Sequence, residues 1–380
     1  MGDVPVESTY HGSALLHRLL SDYPTDRLTI LETGTPSQPS RRLKDVSYLS
    51  HPLDGSRWLK TRFHPFAMVW FSHRALQALP AALPLDAIEF DGVLTVAHGF
   101  GWLAAASVAR KRGVPLHLMV HDDWPRAANV PSGCRNWLDK RFAEVYRQAR
   151  SRMVVSPAMQ RDYETRYGAT AEVLYPSRAS GLPVFVDPPE RLARNDHQFT
   201  IAFAGTINSP GYVKALIALH AAVAAAGGLL LIFGPLTLEQ ARNVGLDLPN
   251  VVVGGLLSWP ELMRRLRDEV DALFVPMSFD VSDRSNMEMA FPSKLADCTA
   301  VGLPLLIYGP PYCSAVRWAK ENAGVAEVVE SQEGLAAVVQ RLANDAALRQ
   351  ALGQRALEIG DKYFAHDAVQ AVFSRSVSCG

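Results

Sequence analysis

From Phe199 onward the chain alternates short, almost wholly apolar runs with stretches of helical periodicity, and nothing else in the sequence constrains the fold as strongly. The runs are "FTIAFA" (199–204), "LLLIF" (229–233), "NVVVGG" (250–255), "DALFVP" (271–276), "LPLLIY" (303–308) and "VAEVVE" (325–330). A strand that shows neither face to water reads as an unbroken apolar run, and a helix between successive strands carries the chain back to the same edge. The two together specify a parallel sheet covered on both faces. The intervening stretches carry helix signals of their own, as in "SWPELMRRL", where Ser258 and Glu261 have capping-box spacing.

The first half shows the same rhythm less cleanly. "DRLTILET" (26–33), "FDGVLTVAH" (90–98), "PLHLMVH" (115–121), "SRMVVS" (151–156) and "AEVLYP" (171–176) read as strands, and "CRNWLDKRFAEVYRQA" (134–149) as a helix. "RASGLPVFVDPPERLARND" (178–196) is rich in Pro, Gly and charge and reads as a linker. The expected class is therefore α/β, with two Rossmann-like doubly wound domains over residues 1–180 and 197–360, facing each other across a cleft. Residues 361–377 read as a closing helix that packs back on the first domain. In such a fold the ligand lies at the carboxyl ends of the strands.

With 380 residues, 48% hydrophobic and 20% charged, the chain has ample core for two domains and is neither disordered nor fibrous. The formal net charge of +0 gives no reason to expect nucleic acid, although the first half is slightly basic and the second slightly acidic. Cys134, Cys298, Cys313 and Cys379 lack metal spacing and read as reduced thiols of a cytoplasmic protein. No apolar run is long enough for a membrane span, and the N-terminus lacks a signal peptide. His11, His17, His51, His64 and His73 show no metal-ligand spacing.

"AFPSKLADCTAVGLPLLIYGPP" (290–311) carries the most chemistry. Pro292 suits a first helical position and Gly302 the position just past the end, so a helix is expected over 292–301. Its first turn leaves the amides of Ser293, Lys294 and Leu295 without intrahelical partners, a setting that favours anions. Lys294 adds a cation there, and Asp297 stands one turn deeper on the same face. Donors and a cation at the rim with a carboxylate behind suit a ligand that is anionic in one part and hydroxyl-rich in another, as a nucleotide sugar is. An exposed Lys–Asp pair on a capped helix is the plainer reading.

"FPSKLADCTAVGLPLLIYGPP", preceded in order by "FAGTIN", "NVVVGGLLSWPELMRRL" and "DALFVP", resembles the donor-binding domain of GT-B glycosyltransferases, specifically glycosyltransferase family 4. The resemblance covers 199–377 well and the first half more loosely. It implies that Asp297 holds the ribose of the sugar nucleotide, that the loop before it, with Ser293 and Lys294, meets the donor sugar, and that Gly205 and Thr206 lie under the diphosphate. It implies further that Gly254 to Leu257, with Leu256, wall the base. In the first half, "MVHDDW" resembles the loop that sets a histidine, here His121, beside the transferred sugar, and "TYHGSALLHRLL" the glycine loop that sets Gly12 near the donor phosphate. The sequence departs from the family where a second acid would stand, at Met289 with Glu288 adjacent, and where Thr206 replaces an arginine. Lys214, Arg284 and Lys294 are then the candidates to neutralise the diphosphate. Only "DVPVEST" is available for a first strand, which is either missing or very short.

Other signals compete. "AHGFGWLAA" places Gly99, Gly101 and Ala104 in a dinucleotide-like pattern after a strand, with Asp122 and Asp123 further on, the signature of an NAD(P)-dependent oxidoreductase. His121, Asp122 and Asp123 are the first candidates for a general base in an inverting enzyme, while the resemblance implies retention, with the protein positioning groups and stabilising charge. "SRWLKTRFHPFAMVWFSHRAL" (56–76) mixes basic and aromatic residues; a core helix with a wet outer face is preferred to a membrane-surface role, which stays open.

The expected activity is transfer of a hexose from a nucleoside diphosphate sugar to a hydroxyl acceptor, in polysaccharide or glycoconjugate synthesis. No metal and no cofactor beyond the donor substrate is expected. The acceptor is left as a saccharide, a lipid-linked group or a small molecule, with peripheral contact at the inner membrane face open. A sugar-nucleotide epimerase and a non-catalytic binder of the same fold are the alternatives.

Overall fold

A computed structural model describes residues 1–380 apart from 9–10, 53–60, 84–87, 129, 180, 182, 208 and 379–380. Cys379 and the start of the basic, aromatic stretch, 56–60, thus lie outside the described residues. The chain divides into two units, one of Met1–Ala179 with Met289–Phe291 and Val369–Gly380, the other of Ser180–Glu288 with Pro292–Ala368.

In the first unit the order is α1 (His11–Leu20), β1 (Thr29–Glu32), β2 (Ser47–Ser50), α2 (His64–Ala82), β3 (Val93–Val96), α3 (Gly101–Arg112), β4 (Leu116–Val120), α4 (Trp124–Ala127), α5 (Ser132–Gln148), β5 (Ser151–Val154), α6 (Pro157–Tyr167) and β6 (Glu172–Val173). β1 pairs with β2, and β3 to β6 follow one another in a second sheet, all parallel. The first residues join the two sheets. Gly2 bridges in parallel to Glu32, its N–H donating to Leu31 O (3.1 Å), and the Met1 nitrogen donates to Leu94 O (2.8 Å). The first strand is thus present as a single bridging residue. It stops there because Pro5 has no N–H to offer a ladder and Asp3 turns its side chain to the start of α3.

The second unit holds β7 (Thr200–Ala204), α7 (Pro210–Ala225), β8 (Leu229–Phe233), α8 (Leu238–Asn243), β9 (Val251–Gly255), α9 (Trp259–Glu269), β10 (Ala272–Pro276), α10 (Arg284–Met289), α11 (Lys294–Cys298), β11 (Leu305–Tyr308), α12 (Ser314–Glu321), β12 (Ala326–Val329), α13 (Gln332–Asn344) and α14 (Ala346–Phe364). Its sheet is parallel throughout, in the order β12-β11-β10-β7-β8-β9. β10 and β11 are buried along their whole length, as their unbroken apolar runs require. From β7 the chain steps outward through β8 to β9, then returns beside β7 as β10 and steps the other way. The point where the order reverses lies between β7 and β10, and a doubly wound sheet binds its ligand there.

Three local expectations are corrected. The closing helix over 361–377 is two helices: α14 ends at Phe364, Ala365 leaves helical dihedrals (ψ 138), and α15 runs His366–Ser378. The break separates residues buried in different cores, Phe364 against Trp318 (5.4 Å between ring centroids) and Val369 with Phe373 among Leu16, Ile30 and Met153. Ser258 stands at the N-cap of α9 without a side-chain cap bond, and the Glu261 carboxylate pairs with Arg264 (2.7 Å). The helix expected over 292–301 shrinks to Lys294–Cys298. Leu295 N donates to Pro292 O (3.0 Å) and Ala296 N to Ser293 O (3.2 Å) in a tight first turn, so Leu295 is not an open donor.

Candidate functional site

In the second unit, the carboxyl end of β7 runs into Gly205 at φ +146, a conformation L side chains rarely adopt, with its N–H bonded to Phe233 O (2.9 Å). Neighbouring Gly234 passes so close that a Cβ on it would lie 2.2 Å from Gly205 O. Beyond β10 the chain turns through α10 and α11 and brings Lys294 back to the same place: a Cβ on Gly205 would stand 3.5 Å from Lys294 Nζ. That ammonium is buried and has no hydrogen-bond partner among the described residues. The rings of Phe203 and Tyr212, centred 4.4 Å and 5.0 Å away, are what it faces. Loss of water lowers its pKa from the ordinary 10.5 to about 8. Two ring faces offset part of the cost of burying a cation, by roughly 0.5–2 kcal/mol each, and an anion at the Gly205 loop would supply the rest.

The other donor-side candidates fall at varied distances from this centre. Asp297 lies on α11, one turn beyond Lys294, and is half-buried, as are Ser293 at the N-cap and Thr206 in the β7 loop. Lys214 is committed elsewhere: its Nζ donates to Asp280 (2.7 Å) on an exposed surface. Arg284 lies over the ring of Tyr312 at 4.6 Å. Of the three cations, Lys294 is therefore the one that the fold sets against the Gly205 loop. Gly254 has a packing reason to lack a side chain, since a Cβ there would meet the Phe233 ring at 2.5 Å, while Leu256 is exposed.

In the first unit, the loops after β3 and β4 bring His98, His121, Asp122 and Trp124 to one edge of the sheet. A Cβ on Gly12 would lie 3.4 Å from His121 Nδ1, so the start of α1 packs on this imidazole. Burial lowers the His121 pKa, Asp122 opposes that shift, and His98 adds to it. The ring is accordingly neutral at neutral pH. The His98 ring lies against Trp124, centroids 5.0 Å apart and tilted by 42°, and the Trp124 indole N–H is buried with no acceptor among the described residues. Neither residue was singled out from the sequence; position at a strand's carboxyl end is the signal that would have found them. Asp123 has a different setting. It is 2% exposed, accepts from Tyr163 Oη (2.9 Å) and Arg166 (3.0 Å), and lies 3.6 Å from Arg126. These bonds tie α4 to α6, a structural duty that leaves the carboxylate little freedom to move protons.

The glycine loop before α3 is already filled. Asp3 accepts from the Thr33 hydroxyl and from the N–H groups of Phe100 and Gly101 (2.8 Å to the latter), and a Cβ on Gly101 would lie 2.6 Å from Asp3 Oδ1. A dinucleotide pyrophosphate would need the helix N-terminus that this carboxylate occupies. Gly99 and Gly101 therefore serve the packing of Asp3 and Ala104 is simply buried in α3, which corrects the oxidoreductase alternative.

Residues 26–177 match the family described as Glycosyltransferase Family 4. No curated protein matches the sequence. The chain is similar in structure to Anabaena HepE, solved with UDP and glucose, at 14% identity over 98% of each chain with a TM-score of 0.67. It is similar also to sucrose-phosphate synthase of Thermosynechococcus elongatus (14% identity over 98% of this chain and 94% of that one, TM-score 0.66). A third is a trehalose-6-phosphate synthase studied for glycosyl transfer with retention (11%, 99% and 98%, TM-score 0.61). At such identities the likeness shows the fold, which is GT-B with two Rossmann-like domains.

Proposed function

We infer that this chain, whose residues 26–177 belong to glycosyltransferase family 4 and whose whole length has the GT-B fold, transfers a hexose from a nucleoside diphosphate sugar to a hydroxyl acceptor. One observation carries the reading: Lys294 Nζ, buried and without an acceptor among the described residues, stands beside the Gly205 loop where the strand order of the second sheet reverses. A diphosphate seated there would meet the ammonium and the amides of the β7 loop. As the bond to the sugar breaks, charge grows on the leaving phosphate, and a fixed cation already stripped of water stabilises that charge without reorganising. Asp297, one turn along α11, would accept from the ribose hydroxyls and fix the nucleoside.

In the first unit, His121 is the group we assign to the transferred sugar, as a neutral imidazole that accepts or donates one hydrogen bond to a hydroxyl. Retention is the stereochemistry we take, because the Asp123 carboxylate, a candidate base for inversion, is engaged by Arg166 and Tyr163. The HepE neighbour was solved with UDP and with glucose, which makes UDP-glucose the first donor to try.

Incubation with a panel of UDP-, GDP- and ADP-hexoses and simple glycoside acceptors, read by mass spectrometry, tests transfer. The anomeric coupling constant of the product tests retention. Release of free sugar or of an epimerised donor, with no transfer to any acceptor, would contradict the reading.

A further inference from the structure

α2 has two apolar faces, and only one is used. Met68, Phe71, Ala75 and Leu79 are buried on the side that packs against α3. The opposite stripe faces solvent, and its first two turns carry Phe63, Phe66 (68% exposed) and Trp70 (54% exposed) before it becomes polar at His73 and Gln77. Arg62 lies over the Phe63 ring at 5.0 Å and Arg74 over Trp70 at 5.3 Å. The helix itself, HPFAMVWFSHRALQALPAA, contains no acidic residue. A run of large aromatic rings held in water by a helix that gains nothing from exposing them marks a contact surface.

We propose that this stripe seats the first unit on an anionic lipid surface. Aromatic rings favour the headgroup boundary, and guanidinium groups beside them pair with lipid phosphate, so both halves of the patch are satisfied by one partner. A second copy of the chain fits less well: a two-fold contact through the same patch would set the basic, acid-free helix against its own copy, Arg62 against Arg62, with no acidic residue of the helix to offset the charge. No described helix is long and apolar enough to cross a membrane, so the contact is peripheral. A catalytic unit held at the surface in this way would meet acceptors that are themselves anchored in lipid. The docking surface stands independently of the transfer chemistry, since it can be measured with neither donor nor acceptor present.

The test is co-sedimentation of the full chain with phosphatidylcholine vesicles, with and without phosphatidylglycerol. The chain is expected to bind the anionic vesicles, less so in high salt, and to stay free of the zwitterionic ones. Phe66→Ser/Trp70→Ser should lower the binding constant by at least about tenfold, with the melting temperature and nucleotide binding of the parent kept. Arg62→Glu/Arg74→Glu should do the same through charge. Parent protein that remains in the supernatant with anionic vesicles overturns the proposal, and so do variants that bind as the parent does. A dimer seen in gel filtration of the parent and lost in Phe66→Ser/Trp70→Ser also overturns it, by giving the patch to a second copy.

Discussion

Lys294 Nζ lies 4.4 Å from the centre of the Phe203 ring, and no acceptor among the described residues satisfies it. A charge in that position weakens the ligand-free fold. Lys294→Met fills similar volume without the charge, so it should stabilise the free protein at neutral pH by about 1–3 kcal/mol while abolishing tight nucleotide binding. Thermal melts of parent and variant, with and without nucleotide, measure both effects. A variant that is less stable than the parent would mean the ammonium is better satisfied than its surroundings indicate.

The same lysine sets a pH dependence with a definite sign. Its folded pKa of about 8 lies below the unfolded value of 10.5, so the unfolded chain holds more protons between those limits. The penalty is full below about 8 and fades as pH rises to 10.5. Stability of the parent relative to Lys294→Met should therefore rise across that window. Nucleotide affinity should run the other way, constant below about pH 8 and weaker above it, because the bound diphosphate wants the protonated form. Denaturant melts and titrations at stepped pH give both curves; affinity that is flat up to pH 10 would rule the lysine out as the diphosphate's partner.

Asp297 serves the nucleoside in this account rather than the phosphates. Asp297→Ala should weaken nucleoside diphosphate binding by about 1–3 kcal/mol and leave inorganic pyrophosphate binding within error. Calorimetry with the two ligands separates these. Equal losses for both would place the carboxylate's effect on the phosphates, contrary to its assignment.

Asp3 and Asp123 are expected to matter to folding. Asp3→Ala leaves the Phe100 and Gly101 amides and the Thr33 hydroxyl without their acceptor and should cost about 2–3 kcal/mol. Asp123→Ala strips Arg166 and Tyr163 of a buried partner and should cost about 3–5 kcal/mol, whereas Asp122→Asn, half-exposed, should leave the melt unchanged. Urea melts of the three variants check the order. NADH should bind none of them, nor the parent, in a fluorescence titration.

The second sheet was legible because its inner strands, β10 and β11 above all, are buried along their length and so wrote themselves as apolar runs; β7 to β12 differ from the expected runs by at most two residues at either end. The first unit was less so. β2, "SYLS", has no buried residue and no apolar run to betray it. The first strand could not be read because only Gly2 of it pairs, and the role of Asp3 depends on a loop nearly a hundred residues away. Lys294 was legible as a cation near a helix mouth but not as a buried one. The Phe203 and Tyr212 rings that enclose it come from β7 and α7, and a distant aromatic wall leaves no mark on the local sequence. Glu261 shows the opposite failure, where a correct local spacing lost to an arginine three residues on.

The central claim is that the loop after β7 and Lys294 together hold the donor's diphosphate. Calorimetric titration of UDP, GDP and ADP into the parent and into Lys294→Met tests it most directly. The account expects at least one of the three to bind the parent, with affinity reduced at least about tenfold in the variant, the loss of one charge-assisted contact. Undiminished binding to Lys294→Met would contradict it.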